Sequence, residues 1–244
     1  MKKIKLDINA DVGEGIENEN KLFPFISSCN IACGGHTGNY KTMLSTVGLA
    51  KQYNVKIGAH PSFEDRENFG RKILKVDKKE LLSSLINQVE SLQDILKNQE
   101  IKLNHIKAHG ALYNLSAYDK DSAKIIIELA KKIDTKLYVP YSSLISKMAK
   151  EQGVETYNEL FVDRNYNSDL TLVSRENSNA LINDSKTMFE HVKKIINDQI
   201  ITSINNKNMS VEFDTLCIHG DSPNAIELIK ELHFKLKNIG IKII

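Results

Sequence analysis

Four histidines in the sequence each follow a predicted strand and precede glycine, proline or a turn of small residues. They are His36, His60, His109 and His219. A neutral imidazole can bind a metal ion or accept a proton from water, although a single histidine more often has a structural role. Four histidines at equivalent strand ends argue against coincidence. We therefore predict that they gather in one functional site.

Acidic and basic side chains occur at the same kind of position. The first predicted strand leads directly to Asp11 and Glu14, and the intervening glycine permits a tight turn. Further along, a stretch predicted to be irregular, from Glu159 to Arg175, carries acidic and basic residues as well. The remaining candidates for binding a substrate or phosphate are Arg71, Lys107, Asp163, Arg164 and Asp221.

Two kinds of chemistry fit these residue types. Imidazoles together with Asp11 could bind a divalent metal ion that activates water. Alternatively, the histidines and carboxylates act as general acids and bases, while Lys107, Arg164 and the helix N-terminus after Asp221 hold an anion. The spacing leaves both alternatives open, and it identifies no metal.

Strands and helices alternate along the whole chain. Strands are predicted at 3–9, 27–33, 55–59, 103–108, 136–139, 154–157, 211–218 and 241–244, and helices at 40–53, 77–97, 119–133, 142–152 and 184–201. A last helix is predicted to be capped by Ser222, with Pro223 in its first position. This alternation is typical of βα units and a mainly parallel sheet.

Polar residues on the predicted strands favour a closed barrel over an open sheet. Lys107 and His109 share one face of their strand, and Thr215, Cys217 and His219 share a face of another. An open sheet covered by helices on both sides tolerates few polar faces. We predict an α/β fold, a single TIM-like (β/α) barrel of about seven parallel strands spanning residues 1–244, with the candidate residues at its C-terminal rim.

Composition excludes several classes of protein. The net charge of +2 gives no field that would attract nucleic acid or an anionic membrane. No apolar run reaches the length of about 18 residues that a membrane helix needs. Asp7 and Asn9 interrupt any leader-like apolar segment, and Cys29, Cys33 and Cys217 lack metal-finger spacing. We expect a cytoplasmic protein whose cysteines are small buried residues.

Three other histidines are predicted to lie outside the site. His105 is roughly 13 Å from His109 if both lie on one strand, so the two cannot share an ion, and His105 is interpreted as structural. His233 falls on the apolar stripe of the last helix and is expected to pack there. His191 has charged neighbours on its helix and is expected to be solvated.

Several longer motifs, in order along the chain, resemble those of the LamB/YcsF family. They are Asp7-Ile8-Asn9-Ala10-Asp11-Val12-Gly13-Glu14-Gly15, Asn30-Ile31-Ala32-Cys33-Gly34-Gly35-His36, Ile57-Gly58-Ala59-His60-Pro61, His109-Gly110-Ala111-Leu112-Tyr113-Asn114 and Cys217-Ile218-His219-Gly220-Asp221. The resemblance implies a barrel of the glycoside hydrolase/deacetylase type that works with two partner subunits, B and C. The implied reaction opens the lactam of 5-oxoproline to L-glutamate and hydrolyses the co-substrate ATP to ADP and phosphate.

The resemblance also implies roles for the candidate residues. Asp11, His60 or His109 would be the base for water, and Lys107, Arg164 and Arg71 would hold a carboxylate or phosphate. The sequence departs from the family pattern in three places: Asn39 replaces an expected Asp, Ala108 replaces a Pro, and Ser62-Phe63-Glu64 replaces a Gly-Tyr-Pro-like loop.

Two further functions remain open at this stage. The first is a metal-dependent, deacetylase-like carbon–nitrogen hydrolase that acts alone. The second is a non-catalytic scaffold subunit whose rim binds a partner. The sequence contains no Walker-type phosphate loop, so it does not say which subunit binds ATP.

Overall fold

The computed structural model describes residues 5–16, 19–221 and 224–244. Its strands, in chain order, are β1 (Lys5–Val12), β2 (Ser28–Ala32), β3 (Lys56–His60), β4 (His105–Ile106), β5 (Lys136–Pro140), β6 (Thr156–Phe161), β7 (Ile200–Thr202), β8 (Asn208–Ser210), β9 (Thr215–Ile218) and β10 (Lys242–Ile243).

Seven parallel strands of the described chain close into a barrel. Their order is β1-β2-β3-β4-β5-β6-β9, and β9 pairs with β1 to complete the circle. The short β10 adds to the beginning of β1, where Lys5 is in register with Lys242. The predicted α/β barrel of about seven parallel strands is therefore confirmed.

Helices connect the barrel strands and cover the barrel. They are α1 (Tyr40–Tyr53), α2 (Lys78–Lys97), α3 (Gly110–Ser116), α4 (Lys120–Ile133), α5 (Leu144–Glu151), α6 (Ser185–Asp198) and α7 (Ala225–Asn238), with short 3-10 helices at Glu19–Lys21 and Phe23–Phe25. None of the helices in the described part of the chain is both long and apolar enough to cross a membrane.

Side-chain caps explain where most helices begin. Asp77, Asp119 and Asp184 each accept hydrogen bonds from backbone N–H groups in the first turn of the helix that follows. Asn39 caps α1 in the same way by accepting from the N–H of Thr42. An Asn replaces an Asp at a cap with little loss, which accounts for that departure from the family pattern.

Several local predictions are wrong. The strand predicted at 211–218 begins only at Thr215, in β9. The strand predicted at 154–157 continues to Phe161 in β6, so Glu159 lies in the barrel wall and not in an irregular stretch. Helix α6 ends at Asp198, because Gln199 has a left-handed backbone (φ 54°) and the chain then enters the β7–β8 hairpin. Helix α3 was not predicted. The proposed cap at Ser222 and Pro223 lies outside the described residues.

The barrel interior is polar, as the alternation in β1 predicts. Asp7, Asn9 and Asp11 alternate with the fully buried Ile8 and Ala10. Water is excluded from this lumen, so each polar group needs a protein partner. The carboxylate of Asp7, for example, accepts hydrogen bonds from three hydroxyl groups, those of Ser27, Ser28 and Thr215.

Because Gly58 has no side chain, the ring of His105 can enter the barrel lumen and make polar contacts there. Gly58 lies in register between Asn30 and His105. The imidazole of His105 fills the vacant space and lies 2.6 Å from the amide oxygen of Asn30, whose amide nitrogen donates to Asp11 over 2.8 Å. His105 thus supports, through Asn30, a carboxylate at the rim.

Gly58→Ala should therefore destabilise the protein by about 1–3 kcal/mol, because the new methyl group would overlap the His105 ring. The matched control is Gly48→Ala on the exposed face of α1, where an added Cβ meets no atom within 4 Å. Gly48→Ala should stabilise by about 0.5–1 kcal/mol. Urea unfolding measures both, and equal stability of the two variants would contradict this account of the lumen.

Candidate active site

A cavity of about 670 Å³ opens at the C-terminal ends of the barrel strands. Nine of the predicted site residues line it: Asp11, Glu14, His60, Arg71, Lys107, His109, Arg164, His219 and Asp221. The other two lie directly behind the lining. His36 stacks on His109 with 3.6 Å between ring centres, and Asp163 contacts His219. The structure thus brings all of the predicted residues to one place.

Two carboxylates and three imidazoles form a tight group, which we call the imidazole cluster: Asp11, Glu14, His36, His60 and His109. Oε1 of Glu14 lies 3.0 Å from Nε2 of His36, 3.3 Å from Nδ1 of His109 and 4.0 Å from Nε2 of His60. Oδ2 of Asp11 lies 3.3 Å from Nε2 of His60.

The backbone fixes two rings of the imidazole cluster. His60 is the last residue of β3, and its Nδ1 lies 2.8 Å from the carbonyl oxygen of Lys107. Nε2 of His109 lies 2.9 Å from the carbonyl oxygen of Phe69. Gly70 permits this turn, because an added Cβ there would lie 2.9 Å from both His36 and His109 and the residue has φ +62°.

Burial determines the protonation of the imidazole cluster. Loss of water, together with the charge of His60, lowers the pKa of His36 to about 3 and that of His109 to about 2. Burial and the charge of Asp11 raise the pKa of Glu14 to about 7. The cluster therefore contains neutral imidazoles and a carboxyl group that can exchange a proton near neutral pH.

Lys107 holds the acids of the lumen in place. Its Nζ lies 3.0 Å from Asp11, 3.0 Å from Glu159 and 3.1 Å from the sulfur of Cys217. Burial opposes its charge, but these neighbours outweigh burial and keep the pKa of Lys107 well above its usual value. Burial likewise opposes the charge of Asp11, yet His60 and Lys107 hold its pKa well below the usual value. Both groups are therefore ionised.

His219 has its own carboxylate partner. Oδ2 of Asp163 accepts the backbone N–H of His219 and lies 3.0 Å from its Nδ1. Burial would raise the pKa of Asp163, but His219 and Arg164 lower it below the usual value. A buried, charged carboxylate in this position fixes the orientation of the imidazole that faces the cavity.

The sequence analysis missed the roles of three residues at the cavity, Glu159, Tyr113 and Arg175. Glu159 bonds Lys107 and also accepts a hydrogen bond of 2.7 Å from the hydroxyl of Tyr113. The sequence did contain a signal for Glu159. If the predicted strand is extended to residue 161, Glu159 lies on the same face as Tyr157 and Phe161. Arg175 lies 2.7 Å from Asp221, and no sequence pattern connects these two residues.

Arginines surround the mouth of the cavity, and we call Arg71, Arg164 and Arg175 the mouth arginines. Asp221 accepts from Arg71 over 2.9 Å and from Arg175 over 2.7 Å. Arg164 is buried and donates to the carbonyl of Val173, and its Nε has no hydrogen-bond partner among the described residues. An anion entering the cavity would meet these guanidinium groups.

The other histidines lie apart from the cavity. His105 is buried in the lumen, and His233 packs edge-on against Phe25, as expected. The prediction for His191 is wrong: the ring is half-buried and its Nε2 lies 3.1 Å from the carbonyl oxygen of Phe161, which the sequence of its own helix does not reveal. The three cysteines are buried.

Within residues 5–16, 19–221 and 224–244, two groups of side chains could hold a metal ion, and one fits better. The first comprises Asp11, Glu14, His60 and His109, and the second comprises Asp11, Cys217 and His219. In the second, the ammonium of Lys107 already lies within 3.1 Å of both Asp11 and Cys217, and burial raises the pKa of the Cys217 thiol. A cation there would be repelled, so the first group is the one suited to a metal.

Comparison with known proteins shows similarity over the whole chain. The model of the LamB/YcsF family matches residues 6–244. Two proteins named as the A subunit of 5-oxoprolinase, from Staphylococcus carnosus (strain TM300) and Staphylococcus aureus (strain bovine RF122 / ET3-1), are each 36% identical to this chain and cover 98% of it. The alignments span 98% and 99% of those two proteins.

A solved structure has the same fold. The lactam utilization protein from Thermus thermophilus superposes with a TM-score of 0.92 at 30% identity, covering 98% of this chain and 99% of that one.

Replacing Lys107 by methionine should cost about 3–5 kcal/mol of unfolding free energy at neutral pH, because Asp11 and Glu159 lose their buried cation. The dependence on pH should also weaken. In the wild type, the lowered pKa of Asp11 gives stability above its unfolded pKa of about 3.9, lost as the pH falls through the folded pKa. In the variant, Asp11 keeps His60 but loses Lys107, so its pKa rises and less stability is lost as the pH falls.

Urea unfolding from about pH 2 to 8, with a chelator present, tests both statements. The matched control is Lys56→Met, which removes a half-exposed ion pair with Asp7. It should cost no more than about 1 kcal/mol. Equal losses for the two variants would contradict the central role of Lys107.

Proposed function

The chain belongs to the LamB/YcsF family, and we propose on that basis that it is the A subunit of an ATP-dependent 5-oxoprolinase. The observation that carries this proposal is its end-to-end similarity to relatives of that name. In the proposed reaction, the lactam of 5-oxoproline is opened to L-glutamate while ATP is hydrolysed to ADP and phosphate. Partner subunits B and C take part in the same enzyme.

The chemistry of a lactam explains why ATP is needed. A five-membered lactam is an unreactive amide, and phosphorylation of its oxygen removes the resonance that protects the carbonyl carbon. Water can then add to this carbon, and the ring nitrogen takes up a proton and leaves. A second water releases phosphate from the resulting acyl phosphate. One ATP and two waters thus account for glutamate, ADP and phosphate.

The imidazole cluster supplies the proton transfers in this proposal. The base that takes a proton from water is Asp11, His60 or His109, all of which face the cavity. Glu14 lies among the imidazoles and has a pKa near 7, so it can hold the proton that the ring nitrogen needs. His36 is buried behind Glu14 and positions it.

Cationic groups complete the proposed site. The carboxylate or phosphoryl group of the substrate is held by Arg71 and Arg164, and Lys107 lies deeper beside Asp11. The unpartnered Nε of Arg164 supports this assignment. Arg175 and Asp221 hold the outer side of the mouth, where Asp221 keeps Arg71 in place until the anion arrives.

The decisive assay measures glutamate released from 5-oxoproline by the chain with ATP and its partner subunits. Asp11→Asn should lower kcat by at least about 100-fold, because the base is lost. The matched control is Asp119→Asn, the same change at the cap of α4, which should leave kcat unchanged. Circular dichroism confirms that both variants fold.

Other outcomes of this assay would contradict the proposal. If no combination of subunits releases glutamate, the proposed 5-oxoprolinase activity is wrong. Turnover without ATP or partners, lost when a chelator is added, would favour a metal-dependent carbon–nitrogen hydrolase acting alone. The four potential metal-binding side chains of the imidazole cluster are the observation that keeps this second candidate.

Arg71 offers a test of substrate recognition. If it holds the substrate carboxylate, Arg71→Met should lower kcat/KM for 5-oxoproline by about 10- to 100-fold, in line with loss of a charged hydrogen bond. Activity on 2-pyrrolidone, a lactam without the carboxylate, should not change. Equal losses on both lactams would show that Arg71 does not recognise the carboxylate.

A further inference from the structure

The backbone fixes the tautomers of two imidazoles. A carbonyl oxygen can only accept a hydrogen bond, so Nδ1 of His60, which lies 2.8 Å from the carbonyl of Lys107, carries a hydrogen. For the same reason Nε2 of His109, 2.9 Å from the carbonyl of Phe69, carries a hydrogen. In the neutral rings, Nε2 of His60 and Nδ1 of His109 therefore present lone pairs.

These two lone pairs face each other and two carboxylate oxygens. Nε2 of His60 lies 3.0 Å from Nδ1 of His109 and 3.3 Å from Oδ2 of Asp11. Oε1 of Glu14 lies 3.3 Å from His109 and 4.0 Å from His60. Four acceptor atoms at these distances repel one another unless a cation lies among them.

A single proton satisfies this arrangement only in part. A proton on Nε2 of His60 could bridge to His109 or to Asp11, but it would leave the oxygen of Glu14 facing the lone pair of His109. One metal ion, in contrast, can contact all four atoms.

The fixed charges also call for a dication. Three carboxyl groups, those of Asp11, Glu14 and Glu159, lie in this almost completely buried site beside one ammonium group, that of Lys107. Uncompensated buried charge is costly, and a divalent ion would neutralise it.

We propose that Nε2 of His60, Nδ1 of His109, Oδ2 of Asp11 and Oε1 of Glu14 bind one divalent transition-metal ion, which would then activate water in the proposed reaction in place of these side chains. Two ligands that are each about 2.1 Å from the same ion lie at most about 4.2 Å apart. Four of the six separations among these atoms, those given above, satisfy this limit, and all six are within 4.8 Å. Two imidazoles with two carboxylates suit ions such as zinc, iron or cobalt.

The groups behind these atoms support the same assignment. The carbonyls of Lys107 and Phe69 orient the two imidazoles, as outer partners of metal-binding histidines do. The other oxygen of Asp11 accepts from Lys107 and Asn30, which leaves Oδ2 free to bind. His36 fixes Glu14 from the far side.

Metal binding can be measured without any assay of activity, so this inference stands or falls separately from the proposed function. The untagged chain is freed of metal with a chelator, and Zn²⁺ is added in a calorimeter. We expect one equivalent per chain. The same preparation with Co²⁺ should show visible ligand-field absorption that demonstrates nitrogen and oxygen ligands.

Two histidine variants locate the site. His109→Gln should weaken Zn²⁺ binding by at least about 100-fold. Loss of a residue that only orients a metal ligand costs about 10- to 100-fold. The matched control His219→Gln changes a histidine in the same cavity and should bind Zn²⁺ like the wild type. Glu14→Gln keeps the shape of the side chain and should also weaken binding, so the test does not depend on the folding of one variant.

Two results would overturn the inference. No stoichiometric binding of Zn²⁺ or Co²⁺ by the folded wild type would show that the imidazole cluster does not bind a divalent ion. Weaker binding in His219→Gln, with unchanged binding in His109→Gln, would place the ion at Asp11, Cys217 and His219 instead.

Discussion

The buried ion pair network of Lys107 is the interaction on which the rest of the site depends. Its ammonium joins Asp11 on β1 to Glu159 on β6, across a lumen from which water is excluded. Without it, two carboxylates would remain buried and unpaired, which costs several kcal/mol in proteins. With it, one oxygen of Asp11 is anchored and the other is directed toward His60. The same ion pair therefore stabilises the buried carboxylates and orients Asp11 toward His60.

A polar lumen is an unusual way to fill a small barrel, and here it transmits order from the barrel interior to the rim. Gly58 makes room for His105, His105 supports Asn30, and Asn30 donates to Asp11. Both hydrogen bonds are short and their partners are buried. The position of the Asp11 carboxylate at the rim therefore depends on residues deeper in the barrel lumen. Apolar residues would pack this space with less electrostatic cost, but they would leave Asp11 without support.

The cavity has two chemically different sides. One side is the imidazole cluster, in which the buried rings of His36 and His109 are neutral and suited to contact a cation. The other side carries the mouth arginines, which favour an anion. A small anionic substrate could therefore be bound by its charge at the mouth while its reacting carbon lies near the imidazoles. This separation keeps the positive arginines away from the group that must accept the proton.

The sequence by itself determined the alternation of strands and helices, most helix starts and the positions of four histidines after strands, because periodicity and caps are local properties. It also placed Lys107 on a strand face that proved to point inward. Only the tertiary structure decided that Lys107 pairs with Glu159, that Arg175 reaches Asp221 and that His191 bonds Phe161. It also decided which nitrogen of His60 and His109 faces the cluster. These features depend on contacts between residues far apart in the chain, and no local pattern records which distant carbonyl or carboxylate a side chain will meet.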